Sequence, residues 1–289
     1  MASAPARSVG PRSVTITDDL GRTVPVNVAP RRIVSLAPSN TEILFALGLG
    51  DQVVGVTDFC NYPPEATLKA RVGGFSTPDI EKIIALQPDL IVAAGIHRDE
   101  VIPKLERRGL TVVAVAPQTV EQILGGITKL GKAAGREREA ASLVGKMRKR
   151  IQAVTDRTGK LSDQQRPRVM FVTWHDPLYT VGPDTYIGEL IDKAGGKNLF
   201  PDISGHKTVG LEAVVARDPR VIIASTGHGE GRSKPLDWAS SDSRLGLTQA
   251  RLKSSVFGVD ADLVNRAGPR IVDTLELFAR FIHPEIFGR

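Results

Sequence analysis

Three short stretches hold residues whose types suit binding chemistry: Gly73-Gly74-Phe75-Ser76-Thr77-Pro78, Thr173-Trp174-His175-Asp176-Pro177 and Ser204-Gly205-His206-Lys207-Thr208. A Phe or Trp beside turn residues offers a flat apolar face on which a ring system can stack. A neutral imidazole offers a lone pair to a metal, and proton competition weakens that bond below about pH 6. Each side chain also has a plainer reading. Phe75 and Trp174 suit ordinary burial equally well, and a lone histidine such as His175 or His206 is more often structural than a ligand. Trp238, in the polar segment 226–243, is a further candidate wall. Ala37-Pro38-Ser39-Asn40-Thr41 follows an apolar run at 33–36 and opens a helix expected to begin at Thr41. Ser39 or Asn40 would cap it, and Pro38, Ser39 and Asn40 would line a helix N-terminus able to meet an anionic group.

Catalytic patterns are missing. The sequence has no Gly-x-Ser-x-Gly elbow, Walker loop, His-Glu-x-x-His or Gly-x-Gly-x-x-Gly. Its five histidines show no metal-pair spacing, and its single cysteine, Cys60, excludes an internal disulfide framework or a multi-cysteine zinc site. Gly227-His228-Gly229-Glu230-Gly231 lacks the Lys-Ser/Thr ending of a phosphate loop and reads as a mobile rim. The chemistry points to a binding protein, not an enzyme, with no catalytic cofactor.

The elements that must position these residues follow from hydrophobic periodicity. Short β-branched runs at 32–36, 53–56 and 90–94 alternate with amphipathic stretches at 41–47 and 80–86. That is the βαβ signature of a mostly parallel sheet, so the fold class is α/β. The chain also repeats itself. Residues 80–93 (IEKIIALQPDLIVA) align without gaps on 211–224 (LEAVVARDPRVIIA), each reading helix, Pro-containing turn, buried strand. Glu42-Ile43-Leu44 with Gly48 echoes Glu189-Leu190-Ile191 with Gly195 in a different register. In the repeat, Glu81 matches Glu212, and His206 occupies the loop equivalent to that of Phe75. The two glutamates are either favourable charges near helix N-termini or a symmetric pair of docking charges, one per lobe.

Two Rossmann-like lobes are therefore expected, at 14–135 and 161–289. A single long rigid helix at 136–160 joins them, residues 1–13 form a disordered tail or trimming remnant, and a ligand cleft lies between the lobes. The composition agrees: 289 residues, 41% hydrophobic, 24% charged. The net charge of +6 comes from scattered basic residues without a basic-aromatic module, so nucleic acid is not an expected partner. No apolar run approaches the roughly 20 residues that cross a bilayer.

The whole pattern resembles a known family. Arg31-Arg32-Ile33-Val34-Ser35-Leu36-Ala37-Pro38-Ser39-Asn40-Thr41-Glu42, Asn61-Tyr62-Pro63-Pro64, the Leu-Gln-Pro-Asp-Leu-Ile-Val of 86–92 and Asn265-Arg266-Ala267-Gly268-Pro269-Arg270 are similar to class III substrate-binding proteins. These are the helical-backbone receptors of ABC importers for cobalamin, haem and ferric siderophores. The resemblance spans about Val14 to Pro284 and extends to Asp18-Asp19-Leu20-Gly21-Arg22, which looks like the leading hairpin of many members. It implies that Glu81 and Glu212 dock onto arginines of a two-fold membrane permease driven by partner ATPase subunits. It also implies a site outside the cytoplasmic membrane, periplasmic or extracellular, reached as an exported protein or lipoprotein. The pattern is nearest the cobalamin-binding branch, which places Phe59, Phe75 and Trp174 against the corrin. His206 stands where that branch tends to carry an aromatic, making it a candidate axial metal ligand. Haem bound through His206 is the alternative, although Gly74 occupies the position of the usual haem-branch tyrosine. Ferric siderophores, third, would draw on Arg98, Arg232, Arg244 and Arg266 as cations. A chelate sensor without transport is a further alternative.

Overall fold

The protein is described by a computed structural model that covers residues 13–227 and 234–288. The tail at 1–12 and the segment 228–233, with His228 and Arg232, lie outside the described residues. Two compact units emerge: residues 1–117 with 124–144, and residues 118–123 with 145–289. The long helix α5 (Glu137–Thr158) contributes to both, matching the stiff segment expected at 136–160 to within two residues at each end.

The first unit opens with an antiparallel hairpin of β1 (Ser13–Thr17) and β2 (Thr23–Asn27). Asp18, buried at its turn, accepts hydrogen bonds from the Leu20 and Arg22 amides at 3.0 Å and from the Ala114 amide at 3.1 Å. Its carboxylate also pairs with the Arg22 guanidinium. These bonds hold the Asp18 carboxyl below its ordinary pKa although burial alone would raise it. The sheet proper comprises β3 (Ile33–Ser35), β4 (Val53–Val56), β5 (Ala70–Arg71), β6 (Leu90–Ala93) and β7 (Val112–Ala114). It is all parallel, in the order β5-β4-β3-β6-β7. Helices α1 (Pro38–Ala46), α2 (Ile80–Ala85) and α3 (Val101–Glu106) connect the strands, and α4 (Val120–Ala133) follows β7. Val34, Leu36, Ile83, Ile91 and Leu105 form one core cluster beneath them. Strands so covered on both faces read as continuous apolar runs, which is why strict alternation is missing from the sequence.

The second unit has a parallel sheet of β8 (Arg168–Val172), β11 (Lys197–Asn198), β13 (Val221–Thr226) and β14 (Val256–Asp260) in the order β11-β8-β13-β14. A second, antiparallel sheet carries β9 (Trp174–His175), β10 (Leu178–Val181) and β12 (His206–Thr208) in the order β12-β10-β9. Helices α6 (Tyr186–Lys193), α7 (Leu211–Arg217), α8 (Lys234–Ser241), α9 (Gln249–Leu252), α10 (Ala261–Val264) and α11 (Ile271–Ile282) complete it. Met170, Val172, Val214, Ile222 and Ala224 lie in its core.

The internal repeat is physical. In both copies the residue two before the strand's first contact, Gln87 or Asp218, adopts a left-handed backbone (φ 47° and 46°), and a buried proline follows. The next amide, of Asp89 or Arg220, donates at 2.9 Å to the carbonyl of Arg32 or Arg168, at the start of the neighbouring strand. The weaker echo holds as well. α1 and α6 both end two residues before a left-handed glycine, Gly48 or Gly195, with matching bonds from Leu49 to Leu44 and from Gly196 to Ile191.

Candidate functional site

In an open parallel sheet, loops at the carboxyl ends of the strands carry the ligand-facing side chains. In the first unit, α1 follows β3 directly. It begins at Pro38, not Thr41; Ala37 is the N-cap residue, and no side chain caps the helix. Ser39 and Asn40 therefore sit in the first turn instead of capping it. Proline's fixed φ and missing N–H make it the natural first helical residue. Pro38 and Ser39 are half-buried. Asn40 is wholly buried, its Nδ2 donating to the Ala93 carbonyl at 2.9 Å while its Oδ1 has no partner. Asn40 thus braces the end of β6 from within and offers a ligand no surface.

Phe59 projects from the segment after β4 with 60% of its surface exposed. The loop beneath is firmly held: Arg71 donates to the Thr57 carbonyl at 2.8 Å and the Cys60 carbonyl at 3.1 Å, and the Cys60 thiol lies 3.2 Å from the Thr41 and Thr57 hydroxyls. Phe75 sits in the loop between β5 and α2, half-buried, with a partner the sequence did not suggest. His97, in the turn after β6, meets its ring edge to face at 5.6 Å and 73°. The Ala94 amide donates to His97 Nδ1 at 2.9 Å, so Nε2 carries the proton and donates to the Phe75 carbonyl at 2.6 Å. Burial holds the His97 imidazole below its ordinary pKa, partly offset by the Phe75 carbonyl.

In the second unit, Trp174 and His175 lie on β9, directly beyond β8, in a hairpin whose Asp176–Pro177 turn is cis. Trp174 Nε1 donates to the Asp176 carbonyl at 2.8 Å. The Trp174 and His175 rings are 5.1 Å apart, and His175 is 6.4 Å from Trp238. The three form one aromatic group, with His175 Nδ1 buried and unpartnered. Trp238 occupies helix α8, not a loop, so its indole is fixed on a regular element.

His206 opens β12, opposite Val181, also on a strand where a loop was expected. It is exposed. The approach to it is pinned by Asp184, which accepts from the Gly205 amide at 2.8 Å and from the Ser204 hydroxyl. These bonds hold the Asp184 carboxyl below its ordinary value. Crowding by surrounding protein lowers the His206 imidazole, with Asp184 pulling it back up. Arg266 is buried between α10 and α11 and pairs with Asp262 at 2.8 Å. Arg244 is held by Asp242, at 2.7 Å.

Glu81 and Glu212 occupy the second position of α2 and α7, both exposed. The Glu81 side chain retains 76% of its surface, with Arg108 3.6 Å away. Sequence reasoning missed His97, Asp184 and Arg71, each of which has a partner 11 to 22 residues away. Only the fold brings them together. Among the described residues, no three His, Cys, Asp or Glu side chains gather as a metal-holding group. Nor is any helix among them long and apolar enough to cross a membrane.

Comparison with known proteins completes the description. The sequence profile named Periplasmic binding protein matches residues 33–256. The ABC transporter substrate-binding lipoprotein YvrC of Bacillus subtilis is 33% identical over 95% of this chain and 87% of its own. Among solved structures, the periplasmic vitamin B12 binding protein of Vibrio cholerae matches with a TM-score of 0.75 at 28% identity, covering 88% of this chain and 97% of that one. A periplasmic heme-binding protein from Roseiflexus matches with a TM-score of 0.76 at 25% identity, over 87% and 98%.

Proposed function

Since the chain belongs to the periplasmic binding protein family, we propose that it is the extracytoplasmic receptor of an ABC importer for a corrinoid of the cobalamin type. It acts outside the cytoplasmic membrane, as a periplasmic protein or lipoprotein, and catalyses nothing itself. The observation that carries the ligand class is the aromatic group Trp174, His175 and Trp238 at the carboxyl end of β8; the first unit has its own candidates in exposed Phe59 and half-buried Phe75. Flat apolar faces suit a macrocycle that arrives with its metal already coordinated. The likeness to the vitamin B12 binding protein of Vibrio cholerae supports the same reading.

Pro38 and Ser39 line the start of α1 in this reading, and Asn40 supports them from behind. Arg266, buried and already paired with Asp262, offers a ligand little surface and is committed to the fold. Glu81 and Glu212 remain exposed for a permease dimer with its ATPase subunits. Haem is the second reading, favoured by one observation: His206 is exposed and its pKa is lowered, so a neutral imidazole faces solvent near pH 7. Truncation of the aromatic group tests the first. Trp174→Ala and Trp238→Ala should each weaken cyanocobalamin binding by about tenfold, the order of one lost stacking face. Unchanged affinity in both variants would remove the basis for a stacked corrin.

A further inference from the structure

We propose that His97 is a positioning residue for the ligand, holding Phe75 and the loop 73–78 in one presented conformation through its Nε2–H donor. The proposal rests on Phe75 being a ligand-facing wall. The base of that loop is closed without His97: Gly73 pairs with Pro78, the Asp79 amide donates to the Val72 carbonyl at 2.7 Å, and the Asp58 amide donates to Gly73 at 2.9 Å. Gly73 takes φ +93°, and a Cβ there would approach the Asp79 amide nitrogen at 3.1 Å and the Thr77 carbonyl at 3.2 Å. The tip of the loop is held by the turn that follows β6. His97 contacts Phe75 twice, by the 2.6 Å bond to its carbonyl and by the edge-to-face ring contact.

His97 is fully buried, so this is not a surface contact that water could replace. Its two nitrogens are committed in opposite senses, Nδ1 accepting from Ala94 and Nε2 donating to Phe75. Only the neutral Nε2–H tautomer satisfies both. Protonation would set an Nδ1–H against the Ala94 N–H and break the first bond. The same amide belongs to the residue after Ala93, whose carbonyl Asn40 binds, so α1, the end of β6 and the Phe75 loop form one hydrogen-bonded chain. Asp79 ends the loop, and Arg98 and Asp99 follow the turn. Among the described residues none of these forms an ion pair with His97, whose titration is set by burial and by the Phe75 carbonyl. A neighbouring charge therefore supplies no competing origin for a pH effect.

The experiment compares wild type, His97→Leu, His97→Gln and Phe75→Ala. A glutamine can donate to Phe75 and accept from Ala94 but does not titrate. In ligand-free protein, amide hydrogen exchange at 73–78 should be faster in His97→Leu and near wild type in His97→Gln. Equal exchange in all three would overturn the proposal whatever the protein binds. With whichever of cyanocobalamin or hemin saturates wild type, His97→Leu should weaken affinity about tenfold, the order of one buried hydrogen bond lost. In ligand-free protein, acidification below the ordinary imidazole range should lower the exchange protection of 73–78 in wild type and leave that of His97→Gln unchanged, because burial holds the His97 imidazole below its usual value. A pH dependence shared by both would overturn it. If Phe75→Ala binds as tightly as wild type, the ligand-wall reading of Phe75 fails instead, a result the exchange data keep separate.

Discussion

Replacing the two repeat glutamates should separate transport from both stability and ligand capture. Glu81 keeps 76% of its side-chain surface, and its recorded cation, Arg108, is itself 57% exposed and 3.6 Å away. At that distance in water-like surroundings the pair is worth about 1 kcal/mol at most, and exposed pairs commonly measure less. Glu81→Ala should therefore shift the melting temperature by under about 4 °C. Glu212, in the first turn of α7 and also exposed, should behave alike. Docking is different, because a carboxylate desolvated against a permease arginine leaves an unpaired buried charge when removed, at a cost of about 2 kcal/mol or more. That predicts association weakened roughly 30-fold for each variant. For the double variant it predicts roughly 1000-fold, the product of two independent losses. The assay is binding of ligand-loaded protein to its permease–ATPase complex in lipid nanodiscs, with uptake of labelled ligand in cells lacking the native receptor. Ligand affinity, measured in parallel, should stay at the wild-type value. A double variant that docks and supports uptake as wild type does would refute the assignment, and parallel loss of ligand affinity would move the glutamates to the ligand site.

Two further outcomes follow from the hydrogen-bonded anchors. Asp18→Ala leaves the Ala114 amide without its acceptor, while Arg22 keeps Glu106 and the Val112 carbonyl, so calorimetry should show a loss of roughly 2 kcal/mol at pH 7. Because the folded-state pKa of Asp18 is depressed, its contribution is present above the unfolded value near 3.8 and disappears as pH falls through the folded one; the gap between variant and wild type should close in strong acid. Asp184→Ala frees the Ser204–Gly205 approach to His206. Absorbance titrations should show cyanocobalamin affinity within about twofold of wild type, as for ordinary surface changes, and any hemin affinity reduced. Equal loss for both ligands would mean that the loop serves a shared contact.

Much of the architecture is legible in the sequence because burial on two faces writes itself as apolar runs. The helix–proline–strand blocks at 80–93 and 211–224, and the long helix over 137–158, needed only periodicity. The left-handed Gln87 and Asp218 were not legible, since neither is glycine and the turn is imposed by docking the next amide onto a neighbouring strand. The start of α1 was misplaced because Ser39 and Asn40 are strong capping residues, while Pro38 at the first helical position carried the better signal. Strands of two or three residues, such as those holding Trp174, His175 and His206, have no measurable period and looked like loops. Among the site candidates, the aromatic side chains are visible by type. His97 and Asn40 were invisible as supports, because their role consists of bonds to backbone atoms 22 and 53 residues away.

A flat, already coordinated metal macrocycle held by stacking on aromatic side chains would need no axial ligand from the protein. Ultraviolet-visible titration of purified protein with cyanocobalamin and separately with hemin, each repeated on His206→Ala, tests this most directly. Saturable cyanocobalamin binding that survives the substitution is the predicted result. A hemin Soret band that shifts in wild type and collapses in His206→Ala, with no cyanocobalamin binding, would contradict it and establish a haem receptor ligated through His206.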